Sequence, residues 1–121
     1  MAELKIDPQR PIDIDIRAES PEVFSFTAQY RAPGHDYVDF ASPKDAVRAN
    51  HSSFTIELDA PIKRYTDLRI YFLVGGPSSH PFRIIVQCSQ NGHALGQPIV
   101  CAGTIAADGK IAFKTAEATF I

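Results

Sequence analysis

A chain of 121 residues that is 45% hydrophobic and 21% charged can bury a two-layer core without help from metals or disulfides, and it reads as one domain over residues 1–121. Its formal net charge of -2, from 12 Lys and Arg against 14 Asp and Glu, offers no broad basic field for phosphates and argues against nucleic acid as a partner. No apolar run approaches the about 20 residues that span a bilayer, and the opening MAELKIDPQRP lacks a basic region followed by an apolar core, so a soluble, cytoplasmic protein with no membrane partner is expected.

In chain order, Met1 to Pro8 carries no strand pattern and is expected to fray. Ile12-Asp13-Ile14-Asp15-Ile16 alternates without a fault, with isoleucines on one face and carboxylates on the other. Glu22 to Tyr30 comes next, with Phe24, Phe26, Ala28 and Tyr30 inward. Tyr37 to Phe40 is a candidate short strand. Ser42-Pro43-Lys44-Asp45 then places a capping hydroxyl before a first-turn proline and a carboxylate third in the turn, which predicts one short helix near residues 43–49. Ser53 to Leu58 points Phe54, Ile56 and Leu58 inward. Longer strands are expected over Leu68 to Val74, Phe82 to Gln90 and Ile99 to Ala106, and a last one from Lys110 towards Ile121. No helical stripe persists beyond two turns. About seven or eight strands separated by turn signals predict an all-β fold, a single antiparallel β-sandwich of jelly-roll or immunoglobulin-like topology.

Register comes from side-chain parity. A three-residue loop, Ala107 to Gly109, would set Ile105 beside Ile111 and Gly103 beside Phe113. The same arithmetic around Asn91 to Pro98 sets Cys88 roughly opposite Cys101, both inward, where a disulfide would be strained. Two cysteines in apolar strand patterns, without CxxC spacing, fit free buried thiols in a reducing compartment.

Gly75-Gly76-Pro77-Ser78-Ser79-His80-Pro81 has neither the lysine and trailing helix of a phosphate loop nor the serine between glycines of an esterase elbow, so it reads as a bend with His80 at its exposed tip. If Tyr37 to Phe40 does not cross the sandwich, His35, Asp36, His51 and His80 share one rim, and if it does the group splits; their spacing matches no metal motif, so no metal and no cofactor are expected. Asp13 and Asp15, about 7 Å apart along one strand, suit an acidic outer face, since no second carboxylate can be placed across a cleft for glycoside hydrolysis. Nor can a nucleophile, base and oxyanion donor be assembled, and no enzyme is expected. The chain has no HxH pair of a cupin and no tryptophan of an immunoglobulin core.

Pairing across the Gly75 to Pro81 bend would put Arg69, Tyr71, Leu73, Arg83 and Ile85 on one outer face, extended by Val100, Ala102 and Thr104 and then Ala112 and Ala116. Tyr and Arg are enriched at interfaces and apolar patches mark contact surfaces, so the expected function is a non-catalytic binding or assembly module that meets a protein partner or its own copies there. The alternative is a carbohydrate-binding domain that takes a glycan at its loop rims through His35, Asp36, Tyr37, His80, Asn91 and His93, with Tyr37 as the stacking surface.

Overall fold

Alternation of apolar and polar residues builds nearly every element. The computed structural model describes residues 2–19, 23–50, 52–107 and 112–121. Its strands are β1 (Ala2–Leu4), β2 (Ile12–Glu19), β3 (Val23–Arg31), β4 (Val38–Ala41), β5 (Arg48–Ala49), β6 (Ser53–Leu58), β7 (Thr66–Gly75), β8 (Pro81–Gln90), β9 (His93–Ala94), β10 (Ile99–Thr104) and β11 (Ala112–Phe120). They form a five-stranded sheet ordered β1-β11-β7-β3-β4 and a six-stranded sheet ordered β10-β8-β2-β6-β5, with β9 beside β8. The two sheets pack as the expected β-sandwich.

Ile12, Ile14 and Ile16 from β2 and Ile84 and Val86 from β8 share one core with Phe26 from β3 and Ile70, Phe72 and Val74 from β7. Burying each such side chain contributes about 1.5–3 kcal/mol before the entropic cost of ordering the chain. Phe54 from the six-stranded sheet meets Phe24 and Phe26 from the other, with ring centroids 5.9 and 5.5 Å apart.

Several expectations are corrected. The helix near residues 43–49 is a 3₁₀ turn over Pro43–Asp45, with β5 shortly after it. The Asp45 carboxylate accepts hydrogen bonds from the Ser42 N–H and hydroxyl at 2.9 and 3.0 Å, so the capping chemistry is present. The turn ends because Ala46 adopts an extended backbone. The amino-terminal segment is not frayed: β1 lies parallel to β11, Leu4 and Ile6 are buried, and the buried Gln90 amide bonds the backbone of Asp7 and Arg10.

The expected pairings across the Gly75 to Pro81 bend and the Ala107 to Gly109 loop do not form, because in both places the chain changes sheets. β7 pairs with β3 and β11, whereas β8 pairs with β2 and β10. Phe113 therefore stands opposite Leu73, and Gly103 opposite Phe82. Asp108, Gly109 and Ile111 lie outside the described residues.

Cys101 stands opposite Ile84, four positions along β8 from Cys88. At strand rise that is about 13 Å, beyond any bridge. Asn91 and Gly92, with φ of 51° and 79°, make a tight turn that lays β9 back on β8, and the chain must then step out to start β10 opposite Val86. Both cysteines are free, and burial pushes the Cys88 thiol up to about 12.

The two faces of the five-stranded sheet make a test. Phe72→Ala, which empties a core site only 1% exposed, should cost about 3–5 kcal/mol in urea unfolding. Phe113→Ala, on the opposite face at 77% exposure, should stay within about 0.5 kcal/mol of the parent. Equal costs would contradict this assignment of faces.

Candidate functional site

The outer face of the five-stranded sheet is ordered in rows across β11, β7 and β3. Phe113, Leu73 and Ser25 form one row, Thr115, Tyr71 and Thr27 the next, Glu117, Arg69 and Gln29 the third, and Thr119, Asp67 and Arg31 the last. Odd-numbered residues of β3, β7 and β11 face outward because the even-numbered ones fill the core.

Two rows form a hydrogen-bonded polar half. Asp67 accepts from Arg31 Nη2 at 2.7 Å and Nε at 3.2 Å, and from the Thr119 hydroxyl at 2.8 Å. These bonds, the Arg31 bond foremost, hold the Asp67 carboxyl below its ordinary range. Gln29 ties the neighbouring row together: its amide donates to Asp39 at 2.6 Å, and its oxygen accepts from Arg69 Nε and Nη2 at 3.1 and 2.9 Å. Tyr37, just before β4, lies over both cations, its ring centroid 3.6 Å from the Arg69 guanidinium carbon and 4.5 Å from that of Arg31. Arg69 also lies 4.8 Å from the Tyr71 ring. Among the described residues, Arg69 has no ion pair with a carboxylate. Its charge is held by an amide oxygen and two aromatic rings.

The other two rows carry no charge and hold the apolar side chains of the face. Phe113 is 77% exposed and Tyr71 41%, with Leu73 half-buried between small neighbours Ser25, Thr27 and Thr115. Tyr71, Leu73 and Phe113 rim a shallow depression of about 250 Å³.

The structure brings together part of the sequence-derived site. Arg69, Tyr71 and Leu73 share this face, whereas Arg83 and Ile85 lie on the outer face of the other sheet, opposite Ala102 and Val100. There Arg83 bonds Glu19 at 3.3 Å. Ala116 turns into the core, and the Ala112 side chain lies outside what is described. Phe113, Gln29 and Asp39 join the face without belonging to the sequence-derived set. Phe113 had a signal: it falls out of phase with Ala116, Ala118 and Phe120, which are buried.

The loop residues do not gather. The course from β4 to β6 crosses the length of the sandwich, so His35, Asp36 and Tyr37 sit at the end where β3 leaves, and His80 at the opposite end. Asn91 and His93 share the end of His35 but belong to the β8–β9 turn, while His35 precedes the edge strand β4. His51 lies outside the described residues. Among the described residues no group of three His, Cys, Asp or Glu converges as metal ligands. Asp13 and Asp15 do point outward together; Asp15 accepts from the Thr55 hydroxyl, and burial with the nearby Asp13 and Asp59 raises the Glu57 carboxyl.

A cleft of about 370 Å³ opens between the sheets at the β4 edge, lined by Tyr30, Phe40, Leu58, Asp59, Ile62 and Lys63 among others. Tyr30 and Phe40 meet edge to face at 5.8 Å within it.

No protein-family model, curated protein or solved structure matches this chain. Among the described residues no helix is long and apolar enough to cross a membrane.

The Asp67 network carries a pH signature. A carboxyl lowered in the folded state contributes stability that is present above its unfolded value near 4 and is lost as pH falls through the folded value. Arg31 is 43% exposed, so Asp67→Asn should cost only about 1 kcal/mol at pH 7. The deficit should shrink below about pH 4, as read by urea unfolding across pH; a constant deficit down to about pH 2 would assign the loss to something other than charge.

Proposed function

We propose that this chain is a non-catalytic protein-binding module whose contact surface is the outer face of the five-stranded sheet around Arg69, Tyr71, Leu73 and Phe113. One observation carries this reading: Phe113, at 77% exposure, stands beside Tyr71 and Leu73 on the face that also carries Arg69, a cation with no carboxylate partner among the described residues. A solvated sheet face gains nothing from exposing a phenylalanine, whereas interfaces concentrate energy in aromatic and arginine anchors. The pattern fits a protein partner that offers an apolar side chain to the Tyr71, Leu73 and Phe113 depression and a carboxylate or aromatic ring to Arg69. The free cysteines suit a reducing, cytoplasmic setting.

The test is site-specific photo-crosslinking in cells that naturally make the protein, with a benzophenone amino acid at position 113 and, as a control, at position 85 on the other sheet. A discrete adduct from position 113 that Arg69→Glu abolishes is expected. No adduct from 113, or the same adduct from 85, would overturn the reading.

A further inference from the structure

A sheet edge presents unpaired N–H and C=O groups, and proteins blunt such edges with shortness, charge, proline or bulges. Of the four edges that end the two sheets among the described residues, three are blunted. β1 has three residues including Glu3, β5 has two including Arg48, and β4 has four, with Asp39 outward and a register shift opposite Ala28 and Gln29. β10 is different: Ile99-Val100-Cys101-Ala102-Gly103-Thr104 has six residues, no charge, no proline and unbroken pairing with β8.

The outward backbone groups of β10 can be named. Thr104 stands opposite Pro81, which has no N–H, so that pair is of the non-hydrogen-bonded kind. Ile105, the next residue, turns its groups inward, donating to the His80 carbonyl at 2.8 Å and accepting from the Ser79 N–H at 2.9 Å. Alternation then turns the N–H and C=O of Val100, Ala102 and Thr104 away from β8. Among the described residues no hydrogen bond reaches these six groups.

We infer that β10 pairs with the β10 of a second copy of this chain, antiparallel about a two-fold axis at Ala102, joining two six-stranded sheets into one. Only residues with outward backbone groups can exchange hydrogen bonds across the new seam. In the register with Ala102 opposite the second copy's Ala102, Val100 falls opposite Thr104 and all six groups on each strand are satisfied. The pairing is self-complementary, as a two-fold interface must be. It sets no like charges side by side, and the axis falls on a residue small enough for close approach. Arg83, the nearest cation on that outer face, is held by Glu19. Lys114 reaches Gly103 from the inner side, out of the plane in which the strands would join. This pairing uses a different surface from the proposed binding face and does not rest on it.

The experiment is light scattering coupled to size exclusion over a range of micromolar concentrations on the full chain, Ala102→Pro and Val100→Lys. Proline at 102 removes an N–H that points to solvent in the monomer, so the fold tolerates it, but it breaks two bonds at the axis. A dimer is expected, weakened about tenfold or more by each variant with the far-ultraviolet dichroism unchanged. Should Ala102→Pro fail to fold, amide exchange of the parent decides: protection of Val100, Ala102 and Thr104 should rise with protein concentration, while Cys101 and Gly103 stay protected throughout. A monomer at every concentration, a dimer indifferent to Val100→Lys, or exchange of those three amides independent of concentration would overturn the inference.

Discussion

The contact on which the structure depends is the one between the sheets, where the isoleucine face of β2 and the phenylalanine faces of β3 and β7 share a core. Phe54 against Phe24 and Phe26 is its most specific part, because ring edges and faces fix relative position in a way that aliphatic packing does not. Once these faces are committed inward, the opposite parity of every long strand is committed outward. The position of Phe113 is a consequence. Its parity on β11 is set by Ala116, Ala118 and Phe120, which must be inside, and the phenylalanine is left in solvent.

Strand identity and the facing of β2, β3, β6, β7, β8 and β10 were legible in the sequence because both rest on local alternation, whereas β11 was turned over: Ala116, expected outward, is buried and Phe113 is exposed. Ile12 to Ile16 and Ser53 to Leu58 could be oriented without knowing their neighbours. Pairing was not legible, because it depends on whether a connection turns within a sheet or crosses between sheets, and a run such as Gly75 to Pro81 serves either geometry. That ambiguity divided Tyr71 from Ile85 and Phe113 from Gly103. Asn91-Gly92, which turns tightly with positive φ at both residues, was read only as the start of a longer Asn91 to Pro98 loop. The two-residue β9 behind it has no periodicity to support it, and this missing strand is what moved Cys101 away from Cys88. β1 was illegible for a related reason: its partner β11 lies over a hundred residues away, and the buried Gln90 that secures the segment after β1 reads in the sequence as one more polar residue.

The two outer faces manage charge differently. On the six-stranded sheet Glu19 meets both Arg17 and Arg83 and Asp15 is bonded by Thr55, while Asp13 stands opposite Glu57, whose carboxyl is raised by burial and then by Asp13. On the five-stranded sheet, Arg31 is matched to Asp67 but, among the described residues, Arg69 is matched only to Gln29 and aromatic rings. A guanidinium held in place by neutral groups is already ordered and partly desolvated, so a partner's carboxylate or ring would meet it with little further entropic cost. Fixed on the same face as an exposed phenylalanine, with Tyr71 between the two, it makes a more specific surface than an apolar patch alone.

The two proposed surfaces are geometrically compatible. β10 is an edge of the six-stranded sheet, and antiparallel pairing of two such edges requires a two-fold axis perpendicular to the joined sheet. That axis keeps the outer faces of the six-stranded sheets on one side and both five-stranded sheets on the other. The two copies of Tyr71, Leu73, Phe113 and Arg69 would then point the same way from one continuous platform. A partner that repeats its epitope could engage both, and the second contact would form at the effective concentration set by a rigid spacing rather than a flexible tether. A modest single face would gain avidity from edge pairing without any new contact, which gives an unblunted β10 a physical use that a monomeric sandwich would not have.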